Sequence, residues 1–379
     1  NITPSLATEA TVNPDFSQVE SDAAQIDVNS TFALFFPERR PFFQEGSDLF
    51  ETYMDIVYTR SINNPLAATK LTGRAGRTSV AYLGAMDEDT PLLLPFTERS
   101  AIAEAGRSFS NILRARRTFG ENSYVGATVT DRRLFDGGNG SLGSLDLRWQ
   151  LFTNYRLEAQ ATLSNTHEPT DLAVDEDNDA ATFDGGAHTA ALDGEQFTGH
   201  GLFVSFDRNA RHWNFDLAYQ EYSPTFRTAN GFVTGNDFRR VRMWQGFLFY
   251  PEGAWVERVE PGVFVRTDYD FQGEKRKDFA EVTLWSRLRG QTNVFMSYGL
   301  GRERFRDVLF EGLTDWNLNV NSRFSDMLTG GFYVGGGRSI YRDDEPERGI
   351  RRNVSVWATI KPLQRFVIQP EVDYSALPW

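Results

Sequence analysis

From about residue 55 onward, apolar and polar residues alternate along the chain with period two. In "SLDLRWQLFTNYRLEAQATLSN" (Ser144 to Asn165), Leu145, Leu147, Trp149 and Leu151 share one face, and Asp146, Arg148 and Gln150 share the other. After Phe152-Thr153-Asn154 the alternation resumes: Tyr155, Leu157, Ala159, Ala161 and Leu163 oppose Arg156, Glu158, Gln160 and Thr162. Successive side chains of a strand point to opposite sides, so the pattern predicts a hairpin with one apolar and one polar face. The same reading recurs with Trp213, Phe215, Leu217 and Tyr219, with Val263 and Val265, with Met296, Tyr298 and Leu300, with Trp316, Leu318 and Val320, and with Val354 and Val356. Polar residues of these segments include Asp216, Asp268 and Asp270.

Strand length and loop length sharpen the picture. Strands of ordinary globular proteins run about five or six residues, whereas a tilted strand needs about nine to eleven to cross a bilayer. The alternating segments here have the longer extent. Short turns are expected near Gly73–Arg77, Phe119–Asn122, Phe152–Asn154, Asp207–Arg211, Arg289–Gln291, Ser325-Asp326 and Lys361–Gln364. Longer loops are expected over Asp87–Gly106, Arg132–Gly143, Asn165–Gln196, Ser223–Phe238, Phe305–Asp315 and Arg338–Gly349. A soluble β-sandwich also alternates, but with shorter strands and no sorting of loops by length. A β-solenoid would show a fixed short repeat. An antiparallel transmembrane β-barrel explains length, alternation and sorting together.

The expected fold is therefore an all-β outer-membrane barrel, residues 55–379, preceded by a periplasmic or plug segment, residues 1–54. Counted from Asp55–Ile62, the pattern yields about 17 strands. The first and the last, "RFVIQPEVDYSAL", would run in the same direction. Bacterial single-chain barrels have even strand numbers, so either the count is off by one or strands follow Trp379; the second is favoured, and a complete barrel of about 18 or more strands is expected.

Composition narrows the chemistry. The chain of 379 residues has no cysteine, which removes disulfides, thiol catalysis and cysteine-ligated metals. The formal charge of -13 argues against nucleic acid, which requires a basic face. Mean hydropathy is -0.44, and no apolar run is long enough for a membrane-spanning helix. The four histidines, His167, His188, His200 and His212, form no evident pair with a strand-borne serine, so no enzymatic activity is expected. In "DEDNDAATFDGG", Asp175, Asp177 and Asp179 match the first three ligand positions of a calcium loop. Ala180 and Gly186 stand where such a loop needs Gly and Glu, so the calcium match is partial and no other cofactor is expected.

Before the alternating region lies "FFPERRPFFQEGSDLF" (Phe35 to Phe50). Pro37 and Pro41 deny regular ladder pairing. Phe35, Phe36, Phe42 and Phe43 surround Glu38, Arg39 and Arg40. Inside a barrel, the two arginines would meet lumen carboxylates, for which Asp146, Glu158, Asp216, Asp268 and Asp270 are the candidates. The stretch reads as a plug, as a small collar folded beneath the barrel, or as an anchor for a partner protein.

"TVNPDFSQVESDAAQIDVNSTFALFFPERRPFFQEGSDLF" (Thr11 to Phe50), "YTRSI", "AATKLTGRAGRTSVAYLGA" and "RHWNFDLAYQEYSPTFRTANGFV" resemble an uncharacterised bacterial family of outer-membrane proteins, a domain of unknown function. The family usually follows a family-nine-like carbohydrate-binding domain, which these residues lack. The resemblance implies a bacterial outer-membrane location and contact with its lipid. The expected function is passage or export of a solute or polymer, with carbohydrate favoured by the family association. The alternative is a structural or docking barrel with a blocked lumen, binding partner proteins at its loops or periplasmic rim.

Overall fold

The structure, a computed structural model, describes residues 5–14, 29–172, 181–253, 255–363 and 365–378. Nearly all of it is β: one antiparallel sheet of 18 strands and three two-stranded sheets. In the sheet, β1 (Leu6–Val12) pairs with β2 (Pro65–Ala75), and each later strand pairs with the next in sequence. These are β3 (Thr78–Asp87), β4 (Ser108–Phe119), β5 (Ser123–Leu134), β6 (Asn139–Leu151), β7 (Tyr155–His167), β8 (Gln196–Arg208) and β9 (Trp213–Tyr222). They continue through β10 (Phe238–Phe247), β11 (Val256–Tyr269), β12 (Lys275–Leu288), β13 (Thr292–Phe305), β14 (Val308–Arg323), β15 (Leu328–Tyr341) and β16 (Glu347–Leu363). Two short strands, β17 (Phe366–Ile368) and β18 (Glu371–Ala376), both lie along β16 and share one position, broken at Gln369-Pro370.

The meander thus has seventeen positions, but its first member is not the one the pattern predicts. Asp55–Ile62 is extended coil ending in a 3-10 turn at Thr59–Ser61. Its backbone bonds are made to a loop: Tyr58 N–H donates to the Asn230 carbonyl and Phe232 N–H to that of Asp55, both at 2.7 Å. The first position is instead Leu6–Val12, in register with Gly73 to Ala67 of β2. The division expected at residues 54 and 55 therefore does not follow the sheet, because the preceding region supplies a strand.

The expected long loops all fall at one rim, yet only three are long: residues 88–107, 168–195 and 223–237. Residues 135–138 and 342–346 are short connections. β13 and β14 are joined by Arg306 and Asp307 alone, with φ of 48° and 61°. That left-handed pair is the type I′ geometry that suits the twist of a hairpin.

The two faces of the sheet differ in kind. Ser110, Arg114, Thr128, Thr130, Arg132, Ser144, Asp146, Gln160, Thr162 and Ser164 are buried, while Leu113, Val125, Val129, Leu145, Trp149 and Leu163 are exposed. What buries the polar face is the segment 29–64. Phe43, Phe50 and Ile62 pack on Ala81, Leu83 and Ile112. Met54 and Ile56 pack with Leu142, Phe203, Ala218 and Tyr222. Asn29 donates to the Ile340 carbonyl of β15 at 2.6 Å. One segment reaches β3, β4, β6, β8, β9 and β15 from the same side, so the sheet curls around it. The closed ring expected from the sequence is not formed by backbone bonds: among the described residues β1 and β18 do not pair, and the curl has two edges.

Candidate functional site

The interior is built around Glu38. Its Oε1 accepts from the backbone N–H groups of Arg39 (3.0 Å) and Arg40 (2.9 Å) and from Arg40 Nε (2.8 Å). Its Oε2 accepts from Arg40 Nη2 and Thr59 Oγ1, each at 2.7 Å. Arg40 then donates to the carbonyls of Ile62 (2.7 Å) and Thr59 (2.9 Å) and lies 4.3 Å from the Phe43 ring centre. Pro37 and Pro41 keep this stretch out of any ladder, and Pro41 opens a single helical turn, Pro41–Gln44. A charge cluster that satisfies itself locally can be buried without partners from the wall.

The four phenylalanines anchor this knot. Phe43 enters the core beneath β3 and β4. Phe42 packs edge-on against Phe43 at 5.1 Å, and Lys70 Nζ of β2 stands 5.0 Å from its ring while donating to the Phe42 and Glu45 carbonyls at 2.7 Å. Phe35 touches Tyr58 and Phe232, with centroids at 5.2 and 5.4 Å. Phe36 exchanges backbone bonds with the Tyr58 hydroxyl.

Further along, the Gln160 side-chain oxygen accepts from the N–H groups of Tyr53 (2.8 Å) and Met54 (2.9 Å), and Tyr53 stacks on Phe203 at 5.4 Å. Arg132 donates to the Ser61 carbonyl and hydroxyl at 3.0 and 3.1 Å. The loop 223–237 folds in beside this segment, and Gly199 admits it: a Cβ there would lie 2.4 Å from Phe226 Cα.

The five candidate carboxylates all face inward, but Arg40 does not meet them. Among the described residues its carboxylate partner is Glu38, and the wall carboxylates are held chiefly by wall arginines. Asp146 receives both Nη groups of Arg114 at 2.7 and 2.8 Å. Glu158 lies between Arg148 (2.8 Å) and Arg156 (3.4 Å). Asp268 accepts from Arg240 at 3.1 Å and from Arg266. Asp270 binds backbone, accepting from Glu274 N–H at 2.7 Å. Asp216 stands half-buried on β9.

The segment does not fill the interior. A cavity of about 390 Å³ remains beside β9–β13, lined by Asp55, Gln220, Tyr222, Arg240, Arg266 and Asp268, among others. Towards the long-loop rim it meets a second space of about 540 Å³ that shares Glu98, Asp237 and Arg276.

Asp175, Asp177 and Asp179 lie outside the described residues. The pattern did not flag Glu168, Asp193 and Glu195, whose carboxylates come within 4.8 Å of one another in the loop 168–195. Arg227 already binds Glu168, and His188 Nδ1 lies 2.9 Å from Glu195. Burial pushes the Glu168 carboxyl above the usual range, and the Arg227 charge opposes that push.

Burial alone would raise the Glu38 pKa, but the Arg40 and Thr59 bonds outweigh it and hold it below the ordinary 4.5. A depressed folded-state pKa adds stability above the unfolded value, which is lost as pH falls through the folded one. Hydrogen exchange at Arg39, Arg40 and Ile62 is therefore expected to be flat from pH 7 to 4.5, once intrinsic rates are divided out, and to accelerate below 4.5. Glu38→Gln should show the fast exchange already at pH 7. Equal protection in wild type and variant at pH 7 would remove Glu38 from its place at the hub.

Residues 1–86 match a family described as a domain of unknown function (DUF5916). The match covers β1, the Glu38 knot and β2. No curated protein matches the chain.

Proposed function

We propose that this chain forms the curled wall and plug of a bacterial outer-membrane β-barrel that lets a solute pass through the space beside the plug. The observation that carries the reading is the inverted sorting of the faces. Leu145 and Leu163 are 66% and 70% exposed on the outer side, while Arg114, Gln160 and Asp146 are 1%, 1% and 2% exposed on the inner side. Water would reverse that arrangement, whereas hydrocarbon favours it. Exposed aromatics at the short-turn rim, Phe119, Trp149, Phe152, Trp213, Phe247 and Trp255, suit a membrane interface. Arginines near the same turns, among them Arg116, Arg208 and Arg211, mark its aqueous side.

The plug favours a second reading, a docking barrel with a blocked lumen, because residues 29–64 occupy the space beneath β2–β9. Single-channel recording in a planar bilayer separates the two. The full chain should give small, stable currents, and a form lacking residues 29–50 should give larger ones. Absence of current in both forms would sink passage and leave the docking role.

A further inference from the structure

The inner wall beside the cavity carries a row of side chains at one level of the register. Gln220 of β9 stands opposite Arg240 of β10, Arg240 opposite Asp268 of β11, Asp268 opposite Lys277 of β12, and Lys277 opposite Glu303 of β13. Arg266, two residues from Asp268 on β11, binds the same carboxylate. Arg342, from the connection after β15, reaches Glu303 at 2.6 Å. Every one of these residues lines the 390 Å³ cavity.

The row has an excess of cations. Two carboxylates are each shared by two basic groups: Asp268 by Arg240 and Arg266, and Glu303 by Lys277 (2.7 Å) and Arg342. Four positive charges against two negative ones leave the row at +2. The four basic side chains keep 22% to 31% of their surface open, so their remaining donors stay available. Beyond the row, Arg276 is bound to Glu98, and Arg304 lies 3.0 Å from Glu274.

Asp55, from the plug segment, also lines the cavity, and so does Asp237 of the loop 223–237, whose carboxylate is already held by the Phe271 N–H (3.0 Å) and the Thr97 hydroxyl (3.1 Å). The carboxylate of Asp55 accepts no hydrogen bond from a described residue and is exposed to the cavity. Tyr222, Phe232, Phe238 and Phe305 also line the cavity, Tyr222 and Phe305 nearly buried. A ligand suited to both the row and Asp55 has an anionic group for the row and hydroxyls, one of which donates to Asp55.

We propose that this row is a binding site for a small polyhydroxylated anion, a sugar acid or a sugar phosphate. The anionic group sits between the Arg240/Arg266 and Lys277/Arg342 pairs, and a hydroxyl donates to Asp55. The site is independent of whether the solute goes on to cross, so zero conductance would leave it standing.

Titration calorimetry on the detergent-solubilised full chain, with glucuronate, glucose 6-phosphate, glucose and inorganic phosphate as probes, tests it. Glucuronate or glucose 6-phosphate is expected to bind about tenfold or more tighter than glucose, and to weaken with added salt. The tighter of the two tells carboxylate from phosphate. Lys277→Met should weaken that probe about tenfold, and Glu303→Gln, which removes a competing carboxylate, should tighten it. Equal affinity for glucose and both charged sugars would overturn the proposal. So would inorganic phosphate binding as tightly as the charged sugars, or weakening by Glu303→Gln in a variant whose folded band in cold gel electrophoresis is unchanged.

Discussion

Replacing Asp146 with alanine is expected to destabilise the folded chain by about 3–5 kcal/mol, the range for a buried ion pair that loses one partner. Arg114 is 1% exposed, and two of its three nitrogens are committed to Asp146 and the Thr128 hydroxyl. Without the carboxylate, the guanidinium would remain buried with a single hydroxyl partner. The double replacement Arg114→Met with Asp146→Leu should recover most of the loss, because neither charge is then stranded. Gly126 makes the pair possible. It stands opposite Asp146 in the register, and Asp146 leans over it towards Arg114, so a Cβ at Gly126 would fall 2.5 Å from Asp146 Oδ1. Gly126→Ala should therefore share part of the Asp146→Ala penalty. Urea unfolding followed by the shift between folded and unfolded bands in cold gel electrophoresis measures all three variants. An Asp146→Ala loss below about 1 kcal/mol would mean that water reaches Arg114 and that the interior is wet at this level.

Leu145→Arg should cost about 2–4 kcal/mol when the chain is folded into lipid vesicles, the range for arginine at the bilayer midplane on a barrel's lipid face. Leu145 is the middle residue of β6 and points outward. Trp149→Arg, four residues nearer the short-turn rim, should cost only about 0–1 kcal/mol from charge, because the penalty falls towards the interface. The same substitutions on a water-exposed surface would stay within about 0.5 kcal/mol. Equal, near-zero costs at both depths would remove lipid as the solvent of the outer face. A graded loss from midplane to rim would be hard to produce any other way.

Much of the wall can be read along the chain because strand alternation is local. The inward setting of Asp146, Glu158, Asp216 and Asp268 follows from period two, and so does the outward setting of Leu145, Leu163, Val263 and Met296. The turn between β13 and β14 is less legible. Arg306-Asp307 lacks the Gly or Asn that announces a left-handed turn, so a two-residue hairpin reads as a loop of eleven residues. The first strand was hidden for another reason. Leu6–Val12, "LATEATV", is short and small-residue-rich, whereas Asp55–Ile62 carries Ile56, Tyr58 and Ile62 at strand-like spacing. The latter segment buries Ile56 and Ile62 against the inside of the curl, and sets Tyr58 against Phe35 and Phe232, instead of pairing in the sheet.

What the chain's own order determines is a two-faced antiparallel ribbon with its polar side against its interior, since each residue's face depends only on its neighbours. Tertiary structure alone decides which charge meets which. Arg114 and Asp146 sit on strands separated by β5 and meet across Gly126. Arg342 and Glu303 are brought together by the run of strands from β13 to β15, and Arg40 turns back to Glu38 because the knot closes on Thr59 and Ile62. Strand register and the curl of the sheet set those distances, and both are properties of the whole meander that no short stretch contains.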